Sequence, residues 1–428
     1  MAFRQPRQSR ALSVCLLGLV APLADARAQT TVDPRMERDT VGARSRPEVE
    51  TSGARVGALL ISPSFGIEAD ATDNLFARGD VKRGDVALAI LPALAVRSQW
   101  SHHALGISAE GSVKRYASRK TENIETYAAK LDGRLDISGN TRLSGDLGAA
   151  RRIEARGTTG DTLFGAAPIA FTVVTGSGEI EQTFNRARIT LGGRYERYRY
   201  QNRVLDGTVI DLSPRDYEAL SGSLRAAIGI GPGVAGFVSF AYNRNRYPAP
   251  PVGPSRNSHG FTALTGVAFG LNRLLQGEIG LGWVRQDFSA PIFPRISGLA
   301  YNVQLKWSPT RLTTLRLSGG RTFQRSPIIG IAGIQQHEVM LSAEHELLRT
   351  LILRPALRYV VADFQVPQGE AKRQERFFTG AFGVSWRVTQ HFEIAGDYTH
   401  SLGRNSGAVD PGRAYDRNRV ALSLRWRL

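Results

Sequence analysis

The chain contains one cysteine, Cys15, in 428 residues. That residue falls in an N-terminal leader, so the mature chain offers no thiol for a disulfide or a Cys-ligated metal. Beyond the leader no apolar run approaches the ~20 residues that a membrane helix requires, which excludes a helical anchor. Helical stripes are missing as well: no apolar pattern of period 3.6 stands out anywhere after the leader. Acidic residues are in deficit, 38 against 55 Lys and Arg.

What is present begins with the leader. Arg4, Arg7 and Arg10 precede a short apolar run, Ala11 to Ala21, and Ala26-Arg27-Ala28 has the small-x-small form of a signal-peptidase site. Residues 1–28 therefore read as a secretory signal peptide, too short to span a bilayer. Val14 stands before Cys15 where lipidation would want a small residue, and the cysteine lies too deep in the run. Removing Arg4, Arg7, Arg10, Arg27 and Asp25 leaves 51 basic and 37 acidic residues, a balance of +14. In a cytoplasmic protein such a surplus would suit nucleic acid. Export argues against that partner and favours lipopolysaccharide phosphates, acidic polysaccharides or small anions. Residues 29–54 are polar and aperiodic, and they predict a flexible periplasmic lead-in, with a small ordered plug as the alternative.

From Arg55 onward the period is two, and the alternating runs predict strands that include 104–116, 234–246, 276–286 and 336–346. In RVALSLRWRL (Arg419–Leu428), Val420, Leu422, Leu424, Trp426 and Leu428 alternate with a face that carries Arg419, Arg425 and Arg427. Successive side chains of an extended strand point to opposite faces, so one face is apolar and the other charged. The same alternation puts Lys130, Asp132, Arg134 and Asp136 on one polar face, and Arg142 and Asp146 on the next. Arg186, Arg188 and Arg194 follow, then Glu278, Arg316, Glu338, Glu344, Arg354 and Arg358. Arg425 and Arg427 complete the set.

Connections alternate between short and long. Gly139-Asn140, Phe184-Asn185, Gly231-Pro232-Gly233, Asn272-Arg273, Ser308-Pro309-Thr310 and Thr389-Gln390 read as tight turns, and longer polar links lie between them. This is the pattern of an outer-membrane barrel. In hydrocarbon every backbone polar group must be paired internally, and among sheets only a closed one achieves that. The expected fold is all-β, a closed antiparallel transmembrane β-barrel of about 18 strands over residues 55–428, with 16 or 20 possible. An even count puts both termini in the periplasm. Trp100, Trp283, Trp307, Trp386 and Trp426 fall toward strand ends, as interfacial girdles do. RVALSLRWRL is then the closing strand, in the style that the barrel assembly machinery reads at outer-membrane C-termini. Pro92 and Pro355 sit inside two of the strands, and local bulges are expected there.

Three stretches carry a family likeness: ATDNLF (Ala71–Phe76), ILPALAVRSQW (Ile90–Trp100) and LDGRLDISGNTRLSGDLGAARR (Leu131–Arg152). In these the chain resembles the outer-membrane family called putative beta-barrel porin type 2. The resemblance implies an outer-membrane location and, for some members, an association with exopolysaccharide or capsule production. It brings no catalytic residue.

Other motifs dissolve on inspection. HEVMLSAEHEL (His337–Leu347) begins like a zincin helix, but Leu341 stands where the second histidine belongs. On a strand His337 and His345 would lie about 27 Å apart at ~3.4 Å per residue, too far to share an ion. His400 and Ser401 are adjacent on a strand and point to opposite faces, so they form no esterase pair. GIGPGVAG (Gly229–Gly236) leads into a strand, which makes it a turn and not a phosphate loop. No enzyme activity, metal or cofactor is expected. The leading reading is porin-like passage of anionic solutes or polysaccharide through a basic lumen, since rings of Arg and Lys favour anions. The alternative is a non-conducting structural or surface-interaction barrel linked to exopolysaccharide or lipopolysaccharide. The expected partners are outer-membrane lipid and lipopolysaccharide, the assembly machinery and the solute, with no nucleic acid.

Overall fold

A computed structural model describes residues 40–44, 46, 51, 53–159, 161, 167–248, 253–270, 274–328, 330–407 and 413–428. The leader and the Asn272-Arg273 turn lie outside the described residues. The first half of the ring consists of β1 Leu59–Thr72, β2 Asp85–Ser98, β3 Ala104–Tyr116, β4 Ile124–Asp136, β5 Thr141–Ile153, β6 Ala170–Phe184, β7 Ala187–Tyr200, β8 Tyr217–Gly231 and β9 Val234–Arg246. The second half consists of β10 Ser258–Gly270, β11 Leu275–Phe288, β12 Ile296–Thr310, β13 Thr313–Arg325, β14 Gly333–Leu348, β15 Leu351–Phe364, β16 Arg373–Arg387, β17 Phe392–Gly407 and β18 Tyr415–Arg427. Each strand pairs antiparallel with the next, and β1 pairs with both β2 and β18. The result is the closed 18-strand antiparallel barrel that the alternation predicts.

Polarity is inverted relative to a water-soluble sheet. Leu147 is 62 % exposed on the outer face, while Lys306 is 2 % exposed on the inner one. Phe65 and Ile67 of β1 point outward, and Glu68 and Asp70 are buried inside. Outward aromatics form two belts. Trp307, Trp386, Phe392 and Trp426 ring the end with the short turns, and Tyr127, Tyr242, Trp283, Tyr359 and Phe378 ring the end with the long loops. On β16, Phe378 and Trp386 are eight steps apart, ~27 Å of strand at ~3.4 Å per residue. A ~40° strand tilt brings that to ~21 Å of height, near the ~25 Å apolar band of such barrels.

The prolines behave differently from expectation. The β2–β3 ladder steps from Ile90↔Val113 to Ala93↔Glu110 with no change of register, and Pro92 still opposes Phe65 on the other side. Likewise the β14–β15 ladder lapses between Ser342↔Ala356 and His345↔Leu353, while Pro355 opposes Phe382. Neither site is a bulge. A strand residue offers its N–H to one neighbour only, so the missing donor opens one seam and the rungs on either side keep the register. Real register shifts occur elsewhere, at Gly229/Gly231, Trp307/Thr310 and Glu346/Leu348, next to tight turns. The second of these corrects one predicted turn. Ser308-Pro309-Thr310 belongs to β12, and the reversal is made by residues 311–312.

At the seam between first and last strands, β18 reaches β1 only as far back as Ser64. A three-residue strand, Ala54–Val56, pairs antiparallel with Leu59–Ile61 and extends the ladder. The turn between them uses Gly57 at φ 58°, a left-handed conformation that favours glycine.

Candidate functional site

The inner wall is charged along most of its height, and its charges are mostly matched. Lys130 meets Asp146 at 3.8 Å, and Asp136 receives both Arg134 at 3.0 Å and Arg142 at 3.2 Å. Arg188 approaches Glu181 at 3.7 Å, as Arg194 does Glu196 and Arg97 does Asp132. Glu278 is held by Arg225 at 2.7 Å, Glu344 by Arg316 at 2.8 Å, and Glu338 by Arg358 at 2.7 Å. Arg427 pairs with Glu393 at 3.0 Å. Arg186 falls in the two-residue turn between β6 and β7 and is exposed there, so it is not on a strand face. Arg354 and Arg425 face inward and, among the described residues, have no carboxylate within 4 Å.

One sector departs from balance. The inner faces of β15 to β18 carry Arg354, Arg358, Arg373, Arg387, Arg417, Arg419, Arg425 and Arg427 against Glu375, Glu393 and Asp397. Arg419 crosses the seam to Asp70, 2.7 Å from Nε, and to Glu68, 3.2 Å from Nη2. Lys114 of β3 approaches the same acids, 2.6 Å from Asp70 and 3.5 Å from Glu68.

At the long-loop end, side chains cross the lumen. Arg325, at the end of β13, donates to Glu196 of β7 at 3.1 Å and to Asn245 of β9 at 2.8 Å, and its guanidinium lies 4.6 Å from the Tyr217 ring centre. Tyr217 stacks on Tyr198 at 4.3 Å. Arg256 donates to the carbonyls of Ser326 and Pro214, joining three loops. The described residues 154–159 and 161 of the β5–β6 loop turn inward. Arg156 is clamped by Glu122 at 2.6 Å and Asp161 at 2.9 Å, while Arg413 donates to the carbonyls of Asp161 and Thr158. Gly157 sits at φ 79°, and an added Cβ would lie 2.5 Å from Ala77 and 2.9 Å from the Tyr415 ring. A Gly157→Val variant should therefore lift this loop off β18. Faster proteolysis at 154–161, with unchanged heat-modified mobility of the barrel, is the expected readout.

Glu154 begins the same loop and is paired with Arg215 of the β7–β8 loop. Burial pushes its carboxyl up to about 7; Arg215 pulls the other way and Asp161 adds to the rise. The folded form thus holds a proton that the unfolded chain releases near ~4.3, so this contact loses stability as pH rises from there through 7. Trypsin should cut the β7–β8 loop faster at pH 8 than at pH 5.5 after correction for trypsin's own pH profile, and Glu154→Gln should flatten that difference.

The short-turn end is occupied by the chain itself. Residues 40–44 and 46 lie against β13 and β14 inside the barrel: the Val41 N–H donates to Thr314 Oγ1 at 3.2 Å, and the Gly42 N–H to Glu344 Oε2 at 2.6 Å. Arg46 Nη2 donates to Glu346 at 2.7 Å and to the Val41 carbonyl at 2.8 Å. Val41 is fully buried. Within the 29–54 lead-in, these described residues are therefore docked on the wall. The segment has one apolar anchor and one buried arginine, too little to register as a pattern.

The motifs set aside above sit as ordinary strand residues. His337 and His345 face outward, bonded to Tyr301 at 3.0 Å and Thr313 at 2.9 Å. His400 bonds to Asn418 while Ser401 is buried on the opposite face. Among the described residues no group of three or more His, Cys, Asp or Glu is placed to hold a metal.

The family model for putative beta-barrel porin 2 matches residues 46–428. The chain belongs to this family. No curated protein matches it. Among solved structures, this porin-2 barrel is similar to the siderophore receptor PirA of Acinetobacter baumannii, at 7 % identity and TM-score 0.46, covering 86 % of this chain and 80 % of that one. It is similar also to OccK2 (OpdF) of Pseudomonas aeruginosa, at 11 % identity and TM-score 0.45, covering 86 % and 98 %. The porin-2 barrel has a porin-like outer-membrane fold. Several of its lumen groups escaped sequence reasoning: Arg46, Glu346, Glu68, Asp70, Lys114 and Arg325 act through partners far away in the chain. For Arg46 and Glu346 the separation is 300 residues.

Proposed function

We propose that this porin-2 barrel is a non-enzymatic outer-membrane passage for anionic solutes. The observation that carries the reading is the cationic sector on β15 to β18, where Arg354 and Arg425 project inward with no carboxylate within 4 Å among the described residues. Arginine-lined walls favour anions by attraction and by hydrogen bonding to carboxylate or phosphate. The cross-lumen contacts of Arg325 and the inward β5–β6 loop favour small anions over a polysaccharide chain. In this reading the short turns and both termini face the periplasm and the long loops face outside, as barrels of this class are built. The pore-lining set is the inward group above without Arg186.

The second reading is a non-conducting interaction barrel. It is favoured by the same stitched loops and by the segment docked at the opposite end. Planar-bilayer recordings of the purified mature chain in a KCl gradient separate the two. A measurable conductance with a reversal potential toward chloride supports the passage. No conductance, even after removal of the docked segment, favours the sealed barrel.

A further inference from the structure

Five arginines gather on the outer face beyond the aromatic belt, at the long-loop ends of β5, β7 and β9. Register sets them in rows. Arg197 opposes Glu218, which opposes Arg246; one step lower, Tyr195 opposes Leu220, which opposes Arg244. Thr172 of β6 lies between Arg151 and Arg199. Strands are ~4.8 Å apart, so arginines two strands apart stand ~10 Å from each other, the scale of a phosphorylated sugar headgroup.

Nearby acids are too few to neutralise the group. Arg199 reaches Glu218 at 3.1 Å and Asp216 at 3.5 Å, and Arg197 shares Glu218 at 3.7 Å. Arg151 donates to the Glu125 carbonyl and to Gln201. Arg244 and Arg246 are exposed and have no carboxylate within 4 Å among the described residues. Directly below, toward the barrel's waist, the outer face turns apolar: Leu147, Val174, Tyr195, Leu220 and Tyr242 are all exposed.

Guanidinium groups stacked above an apolar wall match an amphiphile with phosphates at its head and acyl chains beneath. Arginine binds phosphate through two parallel charge-assisted hydrogen bonds, and its partner here need not leave the membrane plane. We infer that the outer face of β5 to β9 binds the phosphorylated headgroup of a glycolipid in the outer leaflet. Free phosphate would have no use for the apolar wall below, so the lipid is the occupant. The inference rests on the reading that the long loops face outside.

The test is lipid binding by the full mature protein, read by native mass spectrometry with bis-phosphorylated lipid A, dephosphorylated lipid A and phosphatidylethanolamine. Lipid A should bind best. Arg244→Ser with Arg246→Ser should weaken it by ~10²-fold or more, on the scale of two lost charge-assisted bonds, while Arg376→Ser on the far side of the ring should not. Equal binding of the dephosphorylated lipid, or an unaffected double variant, overturns the site. The orientation is checked separately by labelling Thr208→Cys with a membrane-impermeant maleimide on intact cells. Labelling without lipid A preference sinks the site alone; absence of labelling sinks the orientation and, with it, the outer-leaflet assignment.

Discussion

Removing residues 40–46 should raise the single-channel conductance severalfold and leave the barrel folded. The segment fills lumen volume beside β13 and β14, yet it contributes no rung to the ring. Its hold is electrostatic at two points. Glu346 accepts the buried Arg46, and Glu344 accepts the Gly42 N–H while also binding Arg316. Truncating one partner of a buried pair costs about 3–5 kcal/mol, because the other charge is left uncompensated. A Glu346→Gln variant should therefore shift the docked-to-free ratio by at least ~10²-fold. Gly42 sharpens the expectation, since an added Cβ would lie 2.9 Å from Glu344 Oε2. Gly42→Val should crowd that carboxylate and weaken the segment's hold without altering a residue of the wall. The measurement is conductance in planar bilayers for the deletion, Glu346→Gln and Gly42→Val. If all three retain the parent conductance and heat-modified mobility, the segment does not obstruct the path.

Reversing Arg354 and Arg425 to glutamate should turn the reversal potential in a KCl gradient toward potassium. Neither arginine has a carboxylate within 4 Å among the described residues, so the change alters the field of the lumen without breaking a short ion pair of the wall. Two reversals move the local charge by four units. Screening lengths are about 10 Å at 0.1 M and about 3 Å at 1 M, so the shift should be large in dilute salt and small in concentrated salt. Arg358→Glu is a useful contrast. It sets a second carboxylate against Glu338, where a 2.7 Å ion pair now stands. That variant should lower the thermal midpoint in detergent more than it alters selectivity. An unchanged reversal potential in the Arg354/Arg425 variant at 0.1 M would remove the cationic sector from the conduction path.

Much of the architecture is legible from alternation because the two faces meet different solvents. The predicted spans 104–116 and 234–246 coincide with β3 and β9. Errors concentrate at the long-loop ends. Predicted strands at 276–286 and 336–346 extend to Leu275–Phe288 and Gly333–Leu348. Above the aromatic belt both faces become polar, as at Arg244 and Asn245, so the hydropathy signal fades while the ladder continues to Arg246. The link at residues 117–123 gives a weak signal for a related reason: it is short and contains a single helical turn, Lys120–Glu122. Charge placement was legible, but charge pairing was not. Periodicity puts Arg325 near a strand end and cannot say that its carboxylate partner, Glu196, lies 129 residues earlier on another part of the ring. The proline expectation failed because a residue belongs to two seams and only one of them loses a donor.

The junction of β1 with β18 has a kinetic implication. Arg419 meets Asp70 and Glu68 across 349 and 351 residues of chain. Nothing synthesised before the last strand can satisfy those acids from that side, so the nascent sheet keeps two raw edges until the very end. Loop-closure entropy makes so distant a contact slow to find unaided. Assembly should then behave as a zipper whose final tooth is ionic, with Arg419→Ala accumulating an unclosed, protease-sensitive form while the intervening hairpins mature at their normal pace.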